Sequence, residues 1–439
     1  MGRGIRRLPG SGARSNVPRG ARARAAPGQD AIRRALLRRG MILCALLLGG
    51  GPGIAGAQAT AQATAQATAQ ATAQATAQAT DQATDQATAV TRTAPAVPIG
   101  PGRSAARTLL GAGDARMALI LPPVEGPFGR ATEAVREGFQ VAQSRDSAPV
   151  AAELIEADDA GTDFGQLYRG FAERGIGVVI GPLTRNGVNA LVSAPFEPIV
   201  TVALNRADDE RRQPSNVLSL ALTIEIEAHQ VARLAFGDVR ALGTRHPSPR
   251  VMVFRTGTPL ARRAAAAFQY EWLAAGGEAT EPIEVEGLPG EDLRLMLSDV
   301  DPDAVFLAMS ATAARPLRAA LESNAPIYGT SMLNVGSALT GQRALELNGV
   351  RLVGMPWTVQ PDHPAVMAYP AAPATYTIEL QKLFALGIDA YRVAVALLRG
   401  NVDFELDGVT GRLTVERSRG RLIRQGVPAE YRSGIPKPL

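Results

Sequence analysis

Short continuous apolar runs alternate with longer stretches whose apolar positions recur at helical spacing, beginning after Asp114. Met117–Leu121 is apolar throughout, the pattern of a strand buried on both faces of a parallel sheet. Residues 129–144 then place Ala134, Val135, Gly138, Phe139 and Ala142 along one helical stripe. The alternation predicts strands at 150–157, 177–180 and 199–204, with helices at 164–174 and 187–193 between them. Residues 217–222 read as a further short strand before a long helix at 225–236.

A Gly- and Pro-rich break at 243–249 separates this from a second round. Strands are predicted at 251–254, 281–286, 304–309 and 327–331, and helices at 260–275, 291–298 and 315–322. Two successive strand–helix rounds imply an α/β chain with two lobes, each a mostly parallel sheet flanked by helices. The remainder offers a strand at 352–356, a helix at 377–398 and short strands at 413–416 and 421–424. That is too little for a third α/β domain, so it serves both lobes and the chain crosses between them more than once. The expected division is 114–237 plus 334–402 for the first lobe and 238–333 plus 403–435 for the second. A hinged cleft between them would present the carboxyl ends of the strands, where such sheets bind ligands.

Before Asp114 the texture differs. Residues 1–57 hold eleven arginines against one acid, then an apolar run from Met41 to Leu48 and small residues ending Ala55-Gly56-Ala57. This is the pattern of a cleavable secretory leader, and the run is shorter than the roughly 20 residues that span a bilayer. The mature chain is expected to carry no transmembrane segment. Leu43 stands where a lipidated cysteine would have a small residue before it, so Cys44 does not read as a lipid anchor. From Ala57 the chain repeats A-Q-A-T six times and D-Q-A-T twice, without an apolar stripe to bury, so residues 58–113 are expected to form a disordered linker.

The formal charge of +5 is a property of the leader, because residues 58–439 alone carry about −5. Nucleic acid is therefore not an expected partner. One cysteine excludes an internal disulfide framework, and the spacing of His229, His246 and His363 matches no zinc-ligand pattern. The glycines from Gly175 to Gly181 run from a helix end into a strand, the reverse of a dinucleotide fingerprint. No nucleophile elbow or phosphate loop appears, and the acidic pairs at 158–159, 208–210 and 301–303 fall where turns are expected. Neither a catalytic constellation nor a cofactor is expected.

The candidate binding residues lie where strands give way to loops. Thr184 and Arg185 follow one buried strand, and Asn205 and Arg206 end the next. Free N–H groups at such a helix start hold a carboxylate, and an arginine pairs one bidentately. A tight turn with Thr184 or Asn186 as helix cap accounts for the same residues without a ligand. Glu125 and Phe128 occupy the first strand–helix loop, where a turn is the alternative. Ser331 ends the 327–331 strand, and Trp357 is either a buried hinge anchor or a stacking platform. Asp389 and Tyr391, on the last long helix, are expected to support packing between lobe and hinge.

L-I-L-P-P-V-E-G-P-F (119–128), followed by A-V-R-E-G-F (134–139), resembles the start of a type 1 periplasmic-binding fold. Later motifs occur in the order seen in the penicillin-binding protein activator (LppC/LpoA) family, over nearly all of residues 115–435. They are V-I-G-P-L-T-R (179–185), V-A-L-N (202–205), I-Y-G-T-S (327–331), G-M-P-W (354–357), A-L-G-I-D-A-Y-R (385–392) and G-V-T-G-R-L (408–413). The resemblance implies a periplasmic, non-enzymatic protein, associated in the larger members with the outer membrane. Its partner would be a class A penicillin-binding protein, whose peptidoglycan synthesis it would stimulate. Larger members also carry a helical-repeat domain where this sequence has the A-Q-A-T tract. The competing expectation from the same fold is a solute receptor for an amino acid or related ligand of an ABC transporter. Amino-acid binders resembling this fold place small hydroxyl residues at the two loops where Arg185, Asn205 and Arg206 stand. A cell-wall fragment in the cleft is the third expectation.

Overall fold

The computed structural model describes residues 107–157, 161–195, 198–321, 325–334 and 343–439. The expected leader and most of the expected linker lie outside these residues.

The first sheet contains β1 (Arg107–Leu110), β2 (Met117–Leu121), β3 (Ala152–Glu156), β4 (Val178–Ile180), β5 (Val200–Ala203) and β6 (Val217–Ser219). Their order is β1-β3-β2-β4-β5-β6, parallel except where β1 runs antiparallel to β3. Alternation along β2 explains its unbroken apolar run. Met117, Leu119 and Leu121 face a core shared with Val135, Phe139 and Ala142 of α1 (Gly129–Arg145). Ala118 and Ile120 face the opposite core, built from Phe164, Tyr168 and Phe171 of α2 (Phe164–Glu173) and Leu191 of α3 (Arg185–Ser193). A strand with a hydrophobic core on each face has no place for a polar residue.

The second lobe repeats the arrangement. Its helices are α4 (Ile224–Leu242), α5 (Pro259–Ala274), α6 (Gly290–Val300) and α7 (Ala311–Ala320). Its central strands are β7 (Arg250–Arg255), β10 (Ala304–Ala308), β11 (Ile327–Gly329) and β12 (Arg351–Gly354), with β8 (Glu278–Ala279) and β9 (Ile283–Glu284) both pairing β7. Met252, Phe254, Val305 and Leu307 face α6 and α7, while Val251, Val253, Ala304 and Phe306 face α4 and α5. Phe268 stacks on Phe306 with ring centroids 3.9 Å apart.

The C-terminal part is shared between the lobes. Short helices α8 (Pro356–Val359) and α9 (Pro364–Met367) lead to α10 (Ile378–Leu398), which packs on α1 in the first lobe. Gly138 and Gly387 set this close approach. A Cβ on Gly138 would lie 1.9 Å from the Phe384 carbonyl, and one on Gly387 would lie 2.1 Å from that of Val135. The antiparallel sheet β13 (Asp403–Asp407), β14 (Arg412–Glu416) and β15 (Arg421–Gln425) adds Leu413 and Val415 to the same first-lobe core. Then β16 (Val427–Arg432) and β17 (Ile435–Pro438) extend the second sheet beyond β12 in antiparallel fashion.

Several expected boundaries move. The edge strand β1 occupies 107–110, inside the stretch expected to be linker, because Leu110 reaches the first core while its three predecessors stay exposed. Residues 224–237 were expected in the first lobe, yet α4 packs on the second: Ala228, Val231, Ala232 and Ala235 meet Val251, Val253 and Phe268. The chain therefore crosses before α4, between β6 and Thr223. It crosses again at Met355, after β12 has joined the second sheet rather than the first, and a third time at Gly426, after a small sheet that belongs to the first lobe. The helix expected at 315–322 begins at Ala311, because Ser310 caps it, and it tolerates Pro316 in its interior.

Candidate functional site

Strands β2, β4 and β5 are adjacent in the first sheet and parallel, so their following loops share its carboxyl edge. Glu125 and Phe128, Thr184 and Arg185, and Asn205 and Arg206 all come from those three loops. The topology thus gathers six of the eight candidate residues on one rim. Ser331 follows β11 and Trp357 follows β12, neighbouring strands of the second sheet.

The first loop is two successive turns. Gly126 N–H donates to the Pro123 carbonyl (3.1 Å) and Gly129 N–H to that of Gly126 (3.0 Å). Glu125 is exposed, whereas Phe128 is half-buried and precedes α1 without a side-chain cap. The second loop is tightly held. Gly181 has φ +98°, and a Cβ there would lie 2.2 Å from the Ile120 carbonyl, so only glycine fits. Its N–H donates to Val202 (2.8 Å), and Leu204 N–H donates to the Pro182 carbonyl (3.0 Å). Thr184 Oγ1 accepts the Gly187 N–H (3.0 Å), making it the N-cap of α3.

The polar groups of the third loop serve the fold. Asn205 Nδ2 donates to the Leu183 carbonyl (3.1 Å), and its Oδ1 accepts the Arg206 N–H (2.9 Å). Arg185 Nη1 lies 3.5 Å from Asp208 Oδ1, while Asp208 exchanges two hydrogen bonds with Asn189. Together these bonds tie the β4 and β5 loops to one another. An arginine so paired still presents charge at the rim, but Asp208 already compensates it.

Ser331 and Trp357 are buried. The Trp357 indole packs in the first-lobe core, 5.4 Å from the Phe384 ring, and its backbone N–H donates to the Val409 carbonyl (3.0 Å). Ser331 N–H donates to Glu227 Oε2 (3.1 Å), and its Oγ accepts from Lys382 Nζ (2.7 Å).

The polar centre that sequence reasoning did not assemble lies at the crossings. Asp389 is fully buried on α10 and accepts hydrogen bonds from Val409 N–H (3.1 Å), Thr410 N–H (2.8 Å), Thr410 Oγ1 (2.7 Å) and Arg392 (3.1 Å). Burial raises its pKa above the ordinary aspartate value against the pull of these donors. Arg424, on β15, donates Nη1 to the Thr410 carbonyl (3.1 Å), and its burial lowers its pKa despite the nearby Glu227 and Asp389 charges. Two motifs carry Asp389 and Thr410, A-L-G-I-D-A-Y-R and G-V-T-G-R-L, but neither reveals that the carboxylate of the first holds the loop of the second. Tyr391 accepts the Val150 N–H (3.1 Å) and donates to Asp146 (3.1 Å), tying α10 to the α1–β3 loop. Among the described residues, no group of three or more His, Cys, Asp or Glu side chains could hold a metal ion, and no helix is long and apolar enough to cross a membrane.

Comparison with known proteins gives this architecture relatives. A curated protein of Edwardsiella ictaluri named penicillin-binding protein activator LpoA is 26% identical over 317 residues, 61% of this chain and 44% of its own length. A protein of the same name from Yersinia pseudotuberculosis is 24% identical over 417 residues, 75% of this chain and 61% of its own length. The chain thus spans about half the length of these relatives. Among solved structures, one from Chromobacterium violaceum, described as "a putative branched-chain amino acid ABC transporter", is 35% identical with a TM-score of 0.60. It covers 72% of this chain and 100% of its own. The LpoA C-domain of Haemophilus influenzae, described as a regulator of PBP1A, shares the fold at 21% identity and a TM-score of 0.59, covering 74% of this chain and 99% of its own. The two-lobed body is accordingly a type 1 periplasmic-binding-protein-like fold. The family model described as "LppC putative lipoprotein" matches residues 105–286 and 283–434, from the edge strand β1 through both lobes and all three crossings, and the chain belongs to that family.

Proposed function

We propose that this protein is a non-enzymatic periplasmic regulator that binds a class A penicillin-binding protein and promotes its peptidoglycan synthesis. The observation that carries the reading is the family match across both lobes, together with curated relatives named penicillin-binding protein activators. The rim chemistry is consistent with it. Thr184 caps a helix, Asn205 ties two loops, Arg185 faces Asp208, and Ser331 is buried under Lys382. None of these forms a carboxylate pocket paired with an acidic group for an ammonium. Regulation would act through a protein–protein surface, of the order of 800 Å² per partner for a stable complex.

The test is direct binding. Residues 58–439 immobilised on a sensor should bind the detergent-solubilised class A synthases of the same organism, saturably and without added small ligand. Absence of saturable binding to any of them contradicts the proposal.

A solute receptor is the second reading, favoured by the Chromobacterium violaceum structure and its description. It predicts a rise in melting temperature with an amino acid, short peptide or muropeptide, abolished by Arg185→Ala. Under the regulator reading, Arg185→Ala leaves synthase binding nearly intact. A panel that gives no thermal shift contradicts the receptor reading.

A further inference from the structure

The chain crosses between its two lobes at residues 220–223, at Met355 and at Gly426, and a run of buried and half-buried polar groups reaches from one lobe to the other. From the second lobe, Gln230 on α4 accepts the Gly426 N–H (2.8 Å) and donates Nε2 to the Arg424 carbonyl (2.8 Å). One turn earlier on α4, Glu227 accepts the Ser331 N–H (3.1 Å). Ser331 Oγ accepts from Lys382 Nζ (2.7 Å), which belongs to α10 in the first lobe. Two turns further along α10, Asp389 holds the 409–410 loop, and the Thr410 carbonyl receives Arg424 Nη1 (3.1 Å). The Arg424 guanidinium stands in the fields of both Glu227 and Asp389, one carboxylate from each lobe.

The two halves of this run are held very differently. Asp389 has four donors and no exposure, and no side chain fits beside it, since a Cβ on Gly408 would lie 2.5 Å from its Oδ2. Gly426 is equally confined, with a built Cβ 2.8 Å from the Gly354 carbonyl of the neighbouring crossing. Lys382 is only half-buried and makes a single hydrogen bond among the described residues, to a neutral hydroxyl. Withdrawing its ammonium into water breaks that one bond. Withdrawing Asp389 would strand four donors.

We propose that Lys382, Ser331 and Glu227 form a releasable latch that sets the angle between the lobes. Asp389, Thr410, Arg424 and Gln230 form the fixed pivot about which the lobes turn when the latch opens. The inference needs no synthase and stands apart from the function proposed above.

Electron–electron distance measurements test it. The full chain carrying Cys44→Ser is spin-labelled at Glu173→Cys, at the exposed end of α2, and at Leu295→Cys, 66% exposed on α6. With the latch intact, one narrow distance distribution is expected. Lys382→Met keeps the aliphatic stem and removes the donor. It should shift the two-state ratio by about tenfold, the effect of losing one charged hydrogen bond, and so raise a second distance population. Ser331→Ala should do the same, and Lys382→Arg should move the distribution back toward the parent. Far-UV circular dichroism confirms the fold of each variant, and Ser331→Ala carries the test if Lys382→Met does not fold. Distributions of the folded variants that superimpose on the parent's overturn the proposal, whether the parent's is narrow or broad.

Discussion

The contact between α1 and α10 gives the sharpest test of the packing argument. Replacing Gly387 by alanine places a Cβ 2.1 Å from the Val135 carbonyl oxygen and 2.8 Å from the Phe139 nitrogen, both backbone atoms of α1. Real Cβ contacts do not fall below 3.0 Å, so the helices must separate by roughly 1 Å along 17 and 21 residues of regular structure. Alanine's higher helix propensity offsets this by about 1 kcal/mol. Overpacking of a filled core costs about 1–3 kcal/mol, and its upper end applies because the obstructing atoms are backbone. The expected net effect is a loss of about 2 kcal/mol, or a fall of roughly 3 °C in melting temperature for a body of this size. Gly237→Ala is the control, because that glycine lies within α4 and a Cβ there meets nothing within 4 Å. Propensity alone should raise stability there by about 0.5–1 kcal/mol. Thermal melts of both variants, followed by circular dichroism at one scan rate, give the comparison. A Gly387→Ala protein that melts with or above its parent refutes the reasoning.

Asp389→Ala removes the acceptor from two backbone N–H groups and a hydroxyl and leaves Arg424 with one fewer buried carboxylate. A loss of about 3–5 kcal/mol is expected, a fall of roughly 4–8 °C for a body of this size, and a melt within about 2 °C of the parent would contradict it. Acid should destabilise the fold through Asp146 and Asp303. For each, burial alone would raise the pKa, but the bonds it accepts outweigh this and hold it below the ordinary value: from Ala148 N–H, Tyr391 and Arg399 for Asp146, and from Arg245 N–H, Arg250 N–H and His246 for Asp303. The unfolded chain therefore binds these protons more tightly. Their stabilisation is complete above the unfolded value of about 3.9 and is lost as pH falls through and below it. Asp303→Asn should lose less melting temperature than the parent between about pH 5 and pH 3, and parallel losses would count against the assignment.

The buried strands were legible because a strand with a core on each face leaves a continuous apolar run, as Met117–Leu121 and Ala304–Ala308 do. Strands without two cores left no such mark. Arg107–Leu110 is exposed at three of its four positions, and Asp403–Asp407 presents a carboxylate at every second position to solvent. Lobe membership was harder to read for a different reason. The stripe of α4 states that one face is buried but not against which sheet, so the crossing could not be placed before it rather than after it. The rim loops were found from strand ends, yet Thr184 looks the same whether it caps a helix or holds a ligand. The hinge centre joins residues far apart in the chain, Lys382 with Ser331 and Asp389 with Thr410, and no local periodicity encodes such pairs.

The proposed regulation of a cell-wall synthase acts on a rate. The most direct measurement is the rate of glycan polymerisation and cross-linking by the organism's own class A penicillin-binding proteins, each with and without saturating residues 58–439. A rate increase with at least one of them is predicted, from residues 58–439 alone. Unchanged rates with all of them, at concentrations where the protein is folded and in excess, would contradict the proposed regulation.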